Sequence, residues 1–331
     1  MNYANTAIFA EQGGGGVPVI PSTPNSFIFE INTTLTTTNS SAANQWKIPF
    51  NTIGAPFAVD FTIVWGDGTA DYITSTDQAE ILHTYPAPGV YQAYMEGPII
   101  RNIKGISGTN DYFKWVGISQ WGNLEINNDR VFADAERIII TATDSPTFTT
   151  SDCTRCFRNV RGANNDFYMT NWDISSITNA NQMFYNASGS KFTGFNTAFA
   201  TNNITNFSFM FAILFGVTDG RLDASDMDVT GGNLRSMFFA TQIAFSMANW
   251  DLTGVTDLTD FMRSNGGFVN TSDYDATLIS WSNQADLGNV TANVSRVDFG
   301  NSKYTAGGAA EAARTNLITT HGWVITDGGP A

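Results

Sequence analysis

The sequence feature that most constrains the fold is a pair of apolar residues that recurs at a constant interval. Met183-Phe184, Met210-Phe211 and Met237-Phe238 follow one another at an identical step of 27 in the numbering. Cys156-Phe157 stands one such step before the first of these pairs, whereas Phe261-Met262 follows the last after a shorter step of 24. A period of about 20 to 50 residues is typical of solenoids, in which each repeat buries its apolar face against its neighbours.

Further apolar slots recur in step with these pairs, whereas the polar residues between them change. The slots lie six or eleven residues before the first member of a pair and contain Ile177, Ile204 and Val255, or Trp172 and Trp250. Asp173 and Asp251 match each other, but Ala200 stands at the equivalent position of the second unit. A duplicated catalytic site would keep its carboxylate, so the recurrence indicates a packed core rather than repeated chemistry.

The repeat unit resembles the BspA-type leucine-rich repeat, which is also seen as the DUF285 repeats of mycoplasma surface proteins. The resemblance rests on NWDISSITNANQMF, residues 171–184, and on NWDLTGVTDLTDFM, residues 249–262. It implies a leucine-rich-repeat solenoid over residues 132–270. Each repeat would supply one short strand to a parallel sheet, and one short helix or irregular turn containing the Met-Phe pair.

The segment before the repeats alternates apolar and polar residues between turn signals, which is typical of a small β-sandwich. Its most distinctive residues are Trp65, Gly66, Asp67, Gly68, His83, Tyr85, Gly89 and Tyr91. With these framework residues, the segment over residues 27–98 resembles the immunoglobulin-like polycystic-kidney-disease (PKD) domain. The resemblance implies a spacer or adhesive module in which Asp67 and His83 are turn and framework residues.

The remaining segments complete a mainly β chain with short helices. Residues 1–26 contain four successive glycines and three prolines, and we interpret them as an anchoring arm or a flexible tail. Residues 99–131, with Trp115 and Trp121, are expected to cover the junction between sandwich and solenoid. Residues 271–331 break the period and are predicted to form a C-terminal cap, with a helix that stops at Gly322 and a last strand.

No group of reactive residues stands out, so we predict no catalytic, cofactor-binding or metal-binding residues. Cys153 and Cys156 have the spacing of redox or zinc cysteines, but one pair supplies at most half of a four-ligand zinc site. Both fall on repeat slots, which favours a role as small core hydrophobes. The acidic run Asp223–Asp228 is interpreted as a solvated corner or an incidental Ca²⁺ site.

The charge of the chain limits its partners. A net charge of −14 disfavours nucleic acid and anionic membranes, and no apolar run reaches the ~20 residues that span a bilayer. The N-terminal residues lack the pattern of a secretory signal peptide.

Adhesive modules without a signal peptide favour a non-enzymatic phage virion protein: a head fibre, a decoration protein or a receptor-binding protein on the virion surface. Its partners would be other virion proteins through the arm, and a host surface protein or glycan. A homo-oligomer is expected, and a trimer fits this class. One alternative is a bacterial cell-surface adhesin. Another is a polysaccharide-degrading enzyme in which Trp172 and Trp250 are exposed sugar platforms.

Overall fold

The computed structural model describes residues 22–51, 56–104, 110–161, 165–200, 202–216, 220–264, 266–284 and 297–331. All but residues 22–26 of the predicted arm, and residues 285–296 of the predicted cap, lie outside these ranges. The described chain is mainly β with a few short helices, which confirms the predicted class.

The strands are short, and most of them occur in pairs. They are β1 (Phe27–Asn32), β2 (Gln45–Lys47), β3 (Ala58–Val64), β4 (Ala70–Ser75), β5 (Leu82–Thr84), β6 (Val90–Ile99), β7 (Trp115–Gln120), β8 (Glu125–Ile126), β9 (Ile139–Ile140), β10 (Thr147–Phe148), β11 (Asp166–Tyr168), β12 (Lys191–Thr193), β13 (Gln242–Ile243), β14 (Gly267–Phe268), β15 (Val297–Asp298) and β16 (Ile325–Thr326). The helices are α1 (Phe195–Phe199), α2 (Thr271–Ser282) and α3 (Ala309–Thr319), with 3-10 turns at Ala79–Ile81 and Asn110–Lys114.

Six strands form one sheet in the order β4-β3-β6-β1-β7-β9. All its pairings are antiparallel except β7 with β9. In β1 the side chains alternate, so that Phe27, Phe29 and Ile31 are buried. The small β2–β5 pair covers this apolar face, because Trp46 of β2 packs on Phe29 with ring centroids 5.4 Å apart. The sheet extends past residue 98, since β7 and β9 belong to it.

The repeat region is a stack of coils joined by parallel bridges at one recurring position. The bridged residues, in order, are Asp152, Asn179, Asn206, Asn233 and Asp257. Along each coil, alternate amides donate to the next coil, as Phe157 N donates to Met183 O and Phe184 N to Met210 O. The intervening amides close turns within the coil, as Met183 N donates to Ala180 O. Backbone groups are thereby satisfied without a helix around the Met-Phe pair.

The turn next to each pair needs a left-handed backbone. The residue directly before the pair has a φ between 52° and 60° in every coil, at Arg155, Gln182, Phe209, Ser236 and Asp260. Of the two predicted forms, a short helix or an irregular turn, the turn is therefore the one adopted. Helix α1 is an addition that follows the pair of the first Met-Phe coil, and no feature of the repeat pattern predicted it.

A further coil precedes those predicted from the period. Val131-Phe132 occupies the position of the apolar pair, and Arg130 before it has the left-handed backbone with φ 59°. Phe132 N donates to Cys156 O at 2.8 Å, and the Phe132 ring stacks on Phe157 at 5.8 Å. The period does not predict this coil, because the step to the next pair is shorter and the first position of the pair is Val. The predicted solenoid boundary at residue 132 falls inside this pair.

The phenylalanines of the pairs form a continuous column along the stack. Their nearly parallel rings lie 5.6 to 5.8 Å apart at Phe132, Phe157, Phe184, Phe211 and Phe238. The column ends at Phe261, which meets Phe238 edge-on at 84° because the order of the pair is reversed there. Trp115 and Trp121 both contact Phe132, so one core runs from the sheet into the coils.

The C-terminal segment closes the far end of this core. Trp281 of α2 packs on Trp250 at 6.4 Å, and Phe299 packs on Phe261 at 6.3 Å. Helix α3 corresponds to the helix expected before Gly322, and β16 to the expected last strand, whereas α2 was not predicted. No helix in the described part of the chain is long and apolar enough to cross a membrane.

Candidate functional site

The apolar residues predicted from the repeat lie in the core. All fifteen are at most 5% exposed: Cys156, Phe157, Trp172, Ile177, Met183, Phe184, Ile204, Met210, Phe211, Met237, Phe238, Trp250, Val255, Phe261 and Met262. The expectation that Trp172 and Trp250 are exposed sugar platforms is therefore wrong. Trp250 is 1% exposed, and its indole N–H donates to the carbonyl of Ala224 at 2.7 Å inside the stack.

One polar slot does recur in all five coils predicted from the period, contrary to the expectation that only apolar slots persist. At the bridged position, the Asn or Asp side chain accepts a hydrogen bond from the backbone N–H two residues later. The five acceptors are Asp152, Asn179, Asn206, Asn233 and Asp257, with distances of 2.8 to 3.1 Å. Each of these Asx turns begins the series of tight turns around the apolar pair, which we call the turn ribbon. The slot therefore has a structural role. A search for Asn or Asp at the period of the Met-Phe pairs would have found it.

The acidic residues highlighted by the sequence form similar turns. Asp173 and Asp251 accept hydrogen bonds from Ser175 and Thr253, and these bonds lower the pKa of both carboxyls. In the run Asp223–Asp228, Asp223 and Asp228 each accept the backbone N–H two residues on. Among the described residues, no group of three or more His, Cys, Asp or Glu could hold a metal ion.

Cys153 and Cys156 are joined as a disulfide, with Cα atoms 5.2 Å apart. Both side chains are fully buried at the repeat slots. Both cysteines thus lie in the core, as their repeat slots predict, whereas the bond between their sulfurs was not predicted. The disulfide spans the turn that contains Arg155 and covalently fixes its ends.

The framework residues predicted from the PKD resemblance gather around one turn of the N-terminal sheet. His83 stacks on Trp65 at 4.5 Å and bonds Asp67 at 2.8 Å. Tyr85 stacks on Tyr91 at 4.0 Å and donates its hydroxyl to the Trp65 carbonyl at 3.2 Å. Burial acts to raise the pKa of Asp67, but hydrogen bonds from Thr69 and His83 outweigh it and lower that pKa.

The glycines of this group permit the turn. Gly66 and Gly68 have φ of 85° and 92°, and a Cβ on Gly66 would lie 2.1 Å from the Gln92 carbonyl oxygen. Gly89 takes part through its backbone, because its carbonyl accepts the amide of Thr33 at 2.9 Å. The whole group is engaged in internal contacts, and burial strongly raises the pKa of Tyr85.

The first coils carry a surface feature that the sequence did not reveal. We call Arg130, Arg155 and Arg158 the arginine cluster. Arg130 and Arg155 occupy the same position in neighbouring coils, and Arg158 lies one turn further along the ribbon. Burial and the nearby charges of Arg130 and Arg158 lower the pKa of Arg155. These three arginines are separated in the sequence, and only the register of the coils brings them together. The sequence therefore does not predict the cluster.

Each arginine of the cluster has a different set of contacts. Arg130 Nη1 lies 2.7 Å from Asp129, and Arg155 Nε donates to Gln182 Oε1 at 2.8 Å. Arg158 lies over the ring of Tyr185 at 5.9 Å, and its Nε has no hydrogen-bond partner among the described residues. About three-tenths of the Arg130 and Arg158 side chains remains exposed, at 31% and 30%. Part of the positive charge of the cluster is therefore exposed to solvent.

Fold and surface together define a β-rich repeat protein, in which the recurring residues build the core and the turns. Residues 151–274 match the family model described as Mycoplasma protein of unknown function, DUF285. This match supports a BspA-type repeat protein, as the resemblance implied. No curated protein and no solved structure matches the chain.

Proposed function

We propose that the protein is a non-enzymatic recognition protein displayed on a surface. In this proposal a PKD-like sandwich serves as a spacer, and a BspA-type leucine-rich-repeat solenoid presents the binding surface. The observation that carries the proposal is that the recurring residues are all used for folding. The recurring apolar residues fill the core and the recurring Asn or Asp residues form the turns. The residues that vary between them are therefore free to bind a ligand.

The disulfide supports display outside the cytoplasm. Disulfides persist in oxidising surroundings such as cell and virion surfaces, and cytosolic reductants keep most thiols reduced. The Cys153–Cys156 disulfide lies in the first of the matched repeats, so it suits a chain that works in an oxidising medium. The low charged content, 14% of residues, also gives a surface rich in amides and hydroxyls that can hydrogen-bond to sugars.

We place the protein on a phage virion, as a head fibre, decoration protein or receptor-binding protein that attaches through residues 1–26. It would recognise a host surface protein or glycan, and homo-oligomers would multiply the contacts. Immunogold labelling of purified virions with antibody against the full chain tests this location. We expect label on the particles, and particles without label would overturn this location; label on whole bacterial cells treated in parallel would then favour a bacterial adhesin.

The recognition role itself is tested independently of location. Fluorescently labelled full-length protein is incubated with a panel of bacterial cells and with immobilised polysaccharides, and retained fluorescence is measured after washing. We expect saturable retention on at least one surface. Release of reducing sugar from those polysaccharides by the pure protein would contradict a non-enzymatic role.

A further inference from the structure

We propose that the arginine cluster binds the carboxylate groups of an acidic polysaccharide. This inference rests on the proposed recognition function and specifies the ligand class. Arg130 and Arg155 lie in successive coils of a parallel ladder, so their backbones are about 4.8 Å apart. Arg158 joins them from the same coil as Arg155, and its amide donates to the Arg155 carbonyl at 3.2 Å.

Folding does not require arginines at these positions. The same slot in later coils holds Gln182, Phe209, Ser236 and Asp260, and all four adopt the same left-handed turn. Like charges stacked directly opposite each other are unfavourable. A chain with a net charge of −14 has thus placed three of its few cations where they repel one another.

Neighbouring acids neutralise the cluster only in part. Asp129 lies 2.7 Å from Arg130, but it is also bound by Lys104 at 2.8 Å. Asp134 is 3.8 Å from Arg158 Nε, which is beyond hydrogen-bond distance. Four cations therefore face two carboxylates, and the exposed parts of the Arg130 and Arg158 side chains, 31% and 30%, remain open to a further anion.

The surroundings favour a sparsely charged polymer. The planar guanidinium of arginine matches a planar carboxylate with two parallel hydrogen bonds, and the Tyr185 ring supports the Arg158 guanidinium from one side at 5.9 Å. The acidic remainder of the chain repels a dense polyanion such as nucleic acid or polyphosphate. Single carboxylates separated along a sugar chain meet the cluster with less of this repulsion.

The test measures binding of the full chain to polygalacturonate, dextran and polyphosphate by biolayer interferometry. Arg158→Gln and Arg155→Gln each remove one guanidinium group. Arg158→Lys keeps the positive charge but loses the planar group that makes two parallel hydrogen bonds. Arg235→Gln is the matched control, because Arg235 is an exposed arginine on the same turn ribbon several coils away. Thermal melts followed by circular dichroism verify that each variant folds.

We expect wild type to bind polygalacturonate and not dextran, and to bind it less tightly at high salt. Arg158→Gln and Arg155→Gln should each weaken binding about tenfold, Arg158→Lys should weaken it less, and Arg235→Gln should leave it unchanged. If Arg158→Gln and Arg155→Gln bind polygalacturonate as tightly as wild type, this inference is overturned and the proposed function is left standing. Tighter binding of polyphosphate, lost in the same variants, would overturn the choice of carboxylate. Failure to bind any cell or polysaccharide would overturn the proposed function as well.

Discussion

Replacement of Phe184 by alanine tests the phenylalanine column at its centre. The Phe184 ring stacks on Phe157 at 5.6 Å and on Phe211 at 5.8 Å, and Phe167 and Phe192 meet its edges at 5.2 Å each. Buried Phe→Ala changes cost about 3–5 kcal/mol. Because the ring is fully buried with four aromatic neighbours, we expect Phe184→Ala to cost about 5 kcal/mol of unfolding free energy.

Phe184→Leu separates the aromatic contribution from the cavity. Leucine keeps most of the volume but loses four ring pairs, each worth about 0.5 kcal/mol or more beyond burial. The expected cost is therefore about 2 kcal/mol. The control is Phe215→Ala, because Phe215 is 60% exposed, and its loss should change stability by less than about 0.5 kcal/mol.

Equilibrium urea unfolding followed by tryptophan fluorescence measures all three variants. The expected order of destabilisation is Phe184→Ala, then Phe184→Leu, then Phe215→Ala. A cost below about 1 kcal/mol for Phe184→Ala, or an equal cost for Phe215→Ala, would refute the stacked column as the core.

Three further predictions concern the turns, the framework and the disulfide. Asn206→Ala removes the side-chain acceptor of the Ser208 N–H and should lower the free energy of unfolding in urea by about 1 kcal/mol. Asn206→Asp keeps the acceptor and should leave the free energy of unfolding almost unchanged. Equal losses in the two variants would contradict the role of the slot. The lowered pKa of Asp67 means that its stabilising contribution is present above its unfolded pKa of about 3.9 and is lost as pH falls through the folded value. Asp67→Asn should thus be less stable than wild type near neutral pH, and the gap should close in urea titrations at acid pH; a gap that is constant with pH would contradict this. Cys153→Ala with Cys156→Ala should lower stability by about 2 kcal/mol, the entropic value for so short a loop; iodoacetamide labelling of denatured, unreduced wild type, read by mass spectrometry, should modify neither cysteine, and labelling of both would contradict the bond.

The apolar period was readable because packing in a stack allows few substitutions. Met183-Phe184 and its equivalents must meet the same neighbours in every coil, so the sequence repeats at these positions. The period does not predict the coil at Val131-Phe132, because the step to the next pair is shorter and valine fills the methionine slot. The Asx slot at Asn206 is less apparent in the sequence, because both Asn and Asp occur at its equivalents and serve the same acceptor role.

Features that depend on register across coils could not be read from the chain. Arg130 and Arg155 belong to different repeats, and only the alignment of their coils brings their charges together. Likewise β7 joins β1 in the N-terminal sheet although all of β2 to β6 lies between them in the chain. The cysteine spacing fitted redox or zinc cysteines as well as core residues, and the disulfide depends on the turn that brings the Cα atoms to 5.2 Å.

The most direct test of the division between scaffold and recognition surface is a titration of polygalacturonate against two folded variants of the full chain. Phe184→Leu alters the column, and Arg158→Gln alters the arginine cluster. We predict that Phe184→Leu binds like wild type despite its lower stability, while Arg158→Gln keeps its stability and binds about tenfold more weakly. Loss of binding in Phe184→Leu with full binding in Arg158→Gln would contradict this division.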